Sequence, residues 1–206
     1  MRIEAARKVI TIDVISSKKE RLFSQAIREK LSKLDVKRYD FAPALSRGDE
    51  IQCLVAKGEN PFSVIREIRF VLLPFKLKIG IGIGEIEIPK VIRDSWDLSG
   101  EAFFNARDAL EHLKGSDETC VELISGSAIK DLAINSSLIL MNVLMNDWTP
   151  TQFNYVMSYE RFGTYERAST ALKVSSQNIH KACKRANWDI IKETEKNLDK
   201  LLNGME

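Results

Sequence analysis

The chain has 206 residues, 44% of them apolar, which is enough to bury a core in one or two compact units and too much for a disordered chain. Lysine and arginine number 31 against 29 acids, a net charge of +2, so a nucleic-acid signal has to come from local clustering rather than from the total. Three cysteines, Cys53, Cys120 and Cys183, are odd in number, far apart and outside any zinc-ligand spacing; this excludes a disulfide framework and points to a reducing, cytoplasmic setting.

From Lys8 onward, strand and helix patterns alternate. "KVITIDVIS" is β-branched and reads as a strand, and "KKERLFSQAIREKLSKLD" then places Phe23, Ile27, Leu31 and Leu34 on one helical stripe. "YDFAPAL" and "IQCLVA", joined by the tight turn "SRGDE", form a β-hairpin pattern, with Pro43 weakening the first arm. "NPFSVIREIRFVLLP" opens a helix with Asn60 as N-cap and Pro61 in the first turn, and Pro74 closes it. "FKLKIGIGIGEI" alternates strictly, with Phe75, Leu77, Ile79, Ile81 and Ile83 on one face and Lys76, Lys78, Gly80, Gly82 and Gly84 on the other. Glycines on one face mean that a ligand or another backbone comes close there. A helix at "SGEAFFNARDALEHLK" and a strand at "TCVELIS" follow. The order predicts an α+β domain over residues 1–126, with helices on one face of a mostly antiparallel sheet.

After Gly126 the strand pattern ends. "SAIKDLAINSSLILMNVLMNDW" predicts a connecting helix, 127–148, apolar on nearly all sides; its least charged part, Leu132 to Met145, is too short and too rich in Asn and Ser for a membrane span. The amino end is interrupted by Asp13 and does not read as a signal peptide. No membrane partner is expected.

Residues 149–206 predict an all-α unit. "TPTQFNYVMSYERFG" starts a helix at Thr149 and Pro150, and "TYERASTALKVSSQNIHKACKRANW" has helix-turn-helix spacing: Leu172 and Val174 bracket the turn, Ser175 caps the second helix, and Ile179 and Ala182 face inward. Between Arg161 and Trp188 the cations Arg161, Arg167, Lys173, Lys181, Lys184 and Arg185 face one acid, Glu166, a local charge of +5. If the second helix enters a major groove, Ser175, Ser176, Gln177, Asn178 and Lys181 lie nearest the base edges, while Lys184 and Arg185 neutralise phosphates. The competing reading is a three-helix packing module with a solvated basic face. His112 and His180 read as partly exposed helical residues, and Trp148 and Trp188 as core anchors.

The first half resembles the class III nucleotide cyclases and their relatives, the GGDEF diguanylate cyclases. "TIDVISSK" is similar to their first-strand motif, "RGDEIQ" to their hairpin motif, "KIGIGIGEI" to the next strand and "SGEAFFNARDAL" to the late helix, over roughly residues 8 to 115. The resemblance implies a ferredoxin-like, cyclase-like sheet. It also implies Asp13, Asp49 and Glu50 as ligands of Mg²⁺ or Mn²⁺, and Gly48, Gly82, Gly84, Asn105 and Arg107 around a purine nucleotide. The sequence departs from the family at Leu45, where a base-selecting Lys is usual, at Arg47, which replaces a Gly, and at Asn105 and Arg107, which are two residues apart and cannot share a helical face. A solvated hairpin turn without turnover therefore stays open beside the metal site. The whole chain, with "IDVISSKK", "GDEIQ" and a terminal helix-turn-helix, resembles the SatD family. Three functions remain on the sequence: a cytoplasmic, homodimeric regulator that binds duplex DNA and carries a cyclase-like sensing or dimerisation domain, an enzyme that cyclises or transfers a nucleotide with two metal-binding aspartates, or a pure interaction module.

Overall fold

The computed structural model describes residues 2–15, 21–46 and 50–204. Contacts divide the chain into two units, Met1–Ile139 and Leu140–Glu206.

The first unit is built on a five-stranded sheet of β1 (Arg2–Ile15), β2 (Tyr39–Leu45), β3 (Glu50–Val55), β4 (Lys76–Ile88) and β5 (Cys120–Ile124), in the order β2-β3-β1-β4-β5. All neighbours are antiparallel except β4 and β5. β1 is central because its apolar residues serve both faces: Val9, Ile10, Ile12 and Val14 are buried. It also begins earlier than its β-branched run, with a register shift between Glu4 and Arg7 where Ala6 takes φ 53. Pro43 is tolerated because β2 is an edge strand whose pairing with β3 slips between Phe41 and Ala44.

The helices do not lie on one face as the sequence suggests; they cover both. On one face Ile10 pairs with Cys53 and Ile81, and Ile12 with Ile51 and Ile79. This layer is covered by α1 (Arg21–Leu31) and α2 (Pro61–Leu72), which bury Ile27 and Leu31, and Val64, Ile65, Ile68 and Leu72. The α2 start follows the sequence signal: Asn60 Oδ1 accepts from Phe62 N at 2.9 Å and Ser63 N at 3.3 Å, with Pro61 in the first turn. The opposite face carries Val9, Thr11 and Asp13 of β1 beside Gly82, Gly80 and Lys78 of β4. Here α3 (Glu101–His112) packs, and Val9, Leu54, Ile86, Leu98, Ala102, Phe103 and Ala106 form one core cluster. The glycine face is thus closed by a second backbone: a Cβ on Gly82 would stand 1.9 Å from the carbonyl oxygen of Ala102, and one on Gly80 would stand 2.1 Å from that of Ala106.

At the carboxyl end of α3, His112 Nδ1 lies 2.7 Å from a carboxylate oxygen of Glu122 on β5. The Glu122 hydrogen bond and charge raise the His112 pKa above its ordinary value. A raised folded-state pKa contributes stability below the unfolded value of about 6.5 and loses it as pH rises through the folded one; the effect is small because His112 is exposed. An NMR titration is expected to give a His112 pKa above about 6.5 that falls in Glu122→Gln. An unchanged pKa in that variant would remove Glu122 as the cause.

The division between units falls within α4 (Ala128–Asn146). In the first unit α4 is tied to β5: Leu123 N donates to Asn135 Oδ1 at 2.8 Å, and Asn135 Nδ2 donates to Leu123 O at 2.8 Å. The second unit continues with α5 (Pro150–Phe162), α6 (Tyr165–Leu172), α7 (Ser176–Arg185) and α8 (Trp188–Asn203). Thr149 and Gln152 form a reciprocal capping box at the start of α5, and Ser175 Oγ accepts from Asn178 N at 3.3 Å to start α7. Phe153, Val156, Ala168, Ile179, Cys183, Trp188, Ile191 and Leu198 fill the core. Trp148 anchors its edge, donating from Nε1 to Ala186 O at 2.9 Å, with ring centroids 4.8 Å from Phe153 and 6.3 Å from Trp188.

Candidate functional site

Two constellations carry chemistry, one in each unit. The first is a charged row at one end of the sheet. Antiparallel registration sets Glu50 of β3 directly opposite Asp13 of β1, and Lys78 of β4 opposite Asp13 on its other side. Like charges opposite one another in a sheet repel unless they are balanced. Balance is present: Lys78 Nζ lies 3.9 Å from Asp13 Oδ2, and Arg107 of α3 donates to Glu50 Oε2 at 3.2 Å. Just behind the row, Thr11 Oγ1 is buried and, among the described residues, has no hydrogen-bond partner. The donors available here are carboxylate oxygens, which suit a hard divalent cation that takes its remaining ligands from phosphate and water. Among the described residues no group of three or more metal-binding side chains gathers. Gly48 and Asp49 lie outside the described residues.

Among the described residues, those expected around a nucleotide are not brought together. Gly82 is covered by α3 backbone, and Gly84 looks onto the Glu101 carboxylate. Asn105 Nδ2 donates to Ile83 O at 2.8 Å, which ties α3 to β4, whereas Arg107 reaches the other way to Glu50 on β3. Leu45, aligned with the base-selecting position, is buried. Of the set, Asp13, Glu50 and Arg107 form one contact network.

The second constellation lies on α7. α6 ends at Lys173 with φ 55, where a glycine is usual, and three residues later α7 begins. Ile179 and Cys183 turn inward, and Ala182 is only half-buried. Burial raises the Cys183 thiol to about 11, so it is an inert core residue. Gln177, Asn178, Lys181, Lys184 and Arg185 are exposed, and among the described residues the three cations have no acidic partner. Asn178, Lys181 and Arg185, at helical spacing on one side of α7, border an open cleft of about 510 Å³ with Thr149, Gln152 and Tyr155 of the α5 start. The cleft therefore combines two cations with the positive end of a helix dipole.

A protein-family model described as the SatD family matches residues 8–194. The chain belongs to the SatD family. No curated protein matches it. Among solved structures it is similar to the catalytic core of a rhodopsin-guanylyl cyclase with converted specificity in complex with ATPalphaS. The identity is 13%, the match covers 59% of this chain and 78% of that one, and the TM-score is 0.42.

In this SatD-family chain the sequence missed two parts of the sites. Lys78 was legible as a residue on the glycine face, but its pairing with Asp13 depends on the β1–β4 register. Tyr155 and the α5 start join α7 only through packing of helices far apart in sequence, which no local pattern marks.

Proposed function

We propose that this SatD-family protein is a DNA-binding regulator that reads duplex DNA with a helix-turn-helix formed by α6 and α7. The observation that carries this reading is the exposed row of Asn178, Lys181 and Arg185 beside the α5 start. With the amino end of α7 in a major groove, Ser175, Ser176, Gln177, Asn178 and Lys181 lie at base edges, and Lys184 and Arg185 at phosphates. The cleft at the α5 start suits a backbone phosphate, since the helix dipole and Arg185 on its rim act on one anion. Fluorescence anisotropy of the full chain with a pool of genomic duplexes at low salt is expected to show saturable binding with one preferred fragment. Absence of binding at low salt would reduce the basic helix to a solvated face.

A second reading is favoured by one observation, the direct opposition of Asp13 and Glu50. In it the first unit binds Mg²⁺ or Mn²⁺ with a purine nucleotide and passes the state of that site to the regulator. Asp13 and Glu50 would hold the cation, which would supply charge neutralisation for the phosphates, while Lys78 and Arg107 orient the carboxylates or release them to it. A ligand of the folded state raises the unfolding midpoint by mass action, by about 2.7 kcal/mol at a hundredfold excess over Kd. Mn²⁺ with a purine triphosphate is expected to raise the midpoint of the wild type and not that of Asp13→Asn. Equal shifts in both proteins would exclude the carboxylate site.

A further inference from the structure

α4 buries one side and leaves the other bare. Ile134, Leu138, Met141 and Met145 are 6% exposed or less, whereas Ile129 is 84%, Leu132 72%, Ile139 62%, Leu140 69% and Val143 60% exposed. The bare residues follow the helical repeat over about 21 Å of helix, and between Ile129 and Val143 the only charged residues are Lys130 and Asp131, next to one end. Four of these five have a two-fold pattern, and Ile139, whose mirror position is Ala133, stands outside it. Ser136, small and exposed, is the midpoint; Leu132 and Leu140 stand four residues to either side, and Ile129 and Val143 seven. An isologous interface needs this property, since every contact must occur twice with its partners exchanged.

We infer that α4 pairs with α4 of a second copy of this chain, antiparallel, crossing at Ser136. In that pairing Leu132 meets Leu140 of the partner copy, Ile129 meets Val143, and the small Ser136 side chains let the helix axes approach closely. The bare face amounts to roughly 600 Å² of apolar side chain per copy, at the top of what a monomer leaves in one patch; pairing removes roughly 1,200 Å² in total, at the lower edge of specific interfaces. By length and composition α4 is also apolar enough to cross a membrane. Against that occupant stand the two hydrogen bonds of Asn135 to β5, and Asp131, whose carboxylate accepts from Ser125 N at 3.0 Å. Self-pairing does not depend on DNA binding and is tested without it.

The test is sedimentation equilibrium of the full chain from about 1 to about 100 µM, a range over which a small interface is read as a shift from monomer to dimer. The wild type is expected to pass from monomer to dimer. Leu132→Lys and Leu140→Glu, both at exposed positions, are each expected to stay monomeric with an unchanged circular dichroism spectrum. Combined in one chain they are expected to restore the dimer, because each new cation then meets the new acid of the other copy. Ser136→Cys is expected to form a disulfide-linked dimer under mild oxidation. A monomeric wild type throughout, a dimer indifferent to both single substitutions, a double variant that stays monomeric, or a Ser136→Cys dimer that does not cross-link would each overturn the proposal. Binding to lipid vesicles that Leu140→Glu abolishes would overturn it in favour of a membrane.

Discussion

Gly82→Ala is expected to cost the first unit about 3 kcal/mol or more, a large share of the 5–15 kcal/mol that holds an ordinary domain together. The new Cβ would stand 1.9 Å from Ala102 O, 2.3 Å from Ala106 N and 2.9 Å from Ala106 Cα. All three are backbone atoms of α3, so no side-chain rotation relieves the clash. The helix has to lift, and as it lifts the cluster of Val9, Leu54, Ala102 and Ala106 loses its close packing. Gly84→Ala is the internal control. The three atoms nearest its Cβ all belong to the Glu101 side chain, with Oε2 at 2.6 Å, and that flexible carboxylate swings away at a cost of about 1 kcal/mol, giving up its exposed hydrogen bond from Glu85 N, partly offset by the reduced freedom of the unfolded chain. Urea unfolding of the two variants reads the contrast directly. Equal destabilisation, or a Gly82→Ala protein as stable as the wild type, would mean that α3 does not sit on this strand.

The glycine alternation shows how far local pattern reaches. The sequence announced that something approaches Gly80, Gly82 and Gly84 closely, and left open whether it was ligand or backbone. That answer depends on which helix folds back over β4, and the deciding contact, Gly82 to Ala102, spans twenty residues of chain. The order of strands and helices in the first half was legible because each element carries its own period, caps and stops, as at Asn60, Pro61 and Pro74. The number of helical layers was not. A strand buried on both faces loses its polar alternation, and β1, with Val9, Ile10, Ile12 and Val14 all buried, gave that hint.

The charged row makes the same point for chemistry. Adjacent acids before a core strand suggested a metal site or a solvated turn, and the described residues add a third arrangement, in which Glu50 faces Asp13 of β1 between Arg107 and Lys78. Nothing local in "RGDE" foretold Arg107, which lies 57 residues away. Asn105 and Arg107, two residues apart on α3, do point to different strands, as helical geometry requires. α8 was passed over for a different reason. It begins after Asn187 in a left-handed conformation, φ 51, without a side-chain cap, so its start lacks the usual signal even though Trp188 is fully buried.

The combined variant Lys184→Ala with Arg185→Ala is expected to weaken DNA binding by about 60-fold at 0.1 M salt and to lower the salt slope by about 1.8. Each phosphate neutralised releases condensed counterion, so log K falls with log salt by about 0.9 per contact, and two lost contacts at a tenth of molar salt amount to that factor. Neither residue has an acidic partner among the described residues, so removing them breaks no internal ion pair and the second unit should stay folded. The loss should be the same on every sequence, because phosphates carry no base identity. Gln177→Ala and Asn178→Ala divide the other way. Their side chains are exposed at the amino end of α7, while the cap itself is made by the Asn178 backbone N–H to Ser175 Oγ, so the helix start survives substitution. Each is expected to cost about 1 to 3 kcal/mol on the preferred site and little on others, with the salt slope unchanged. Titrations of all four proteins at several salt concentrations separate these outcomes. A slope that does not change in the double variant would place the phosphates elsewhere. A loss in Gln177→Ala that is uniform across sequences would take α7 out of the groove.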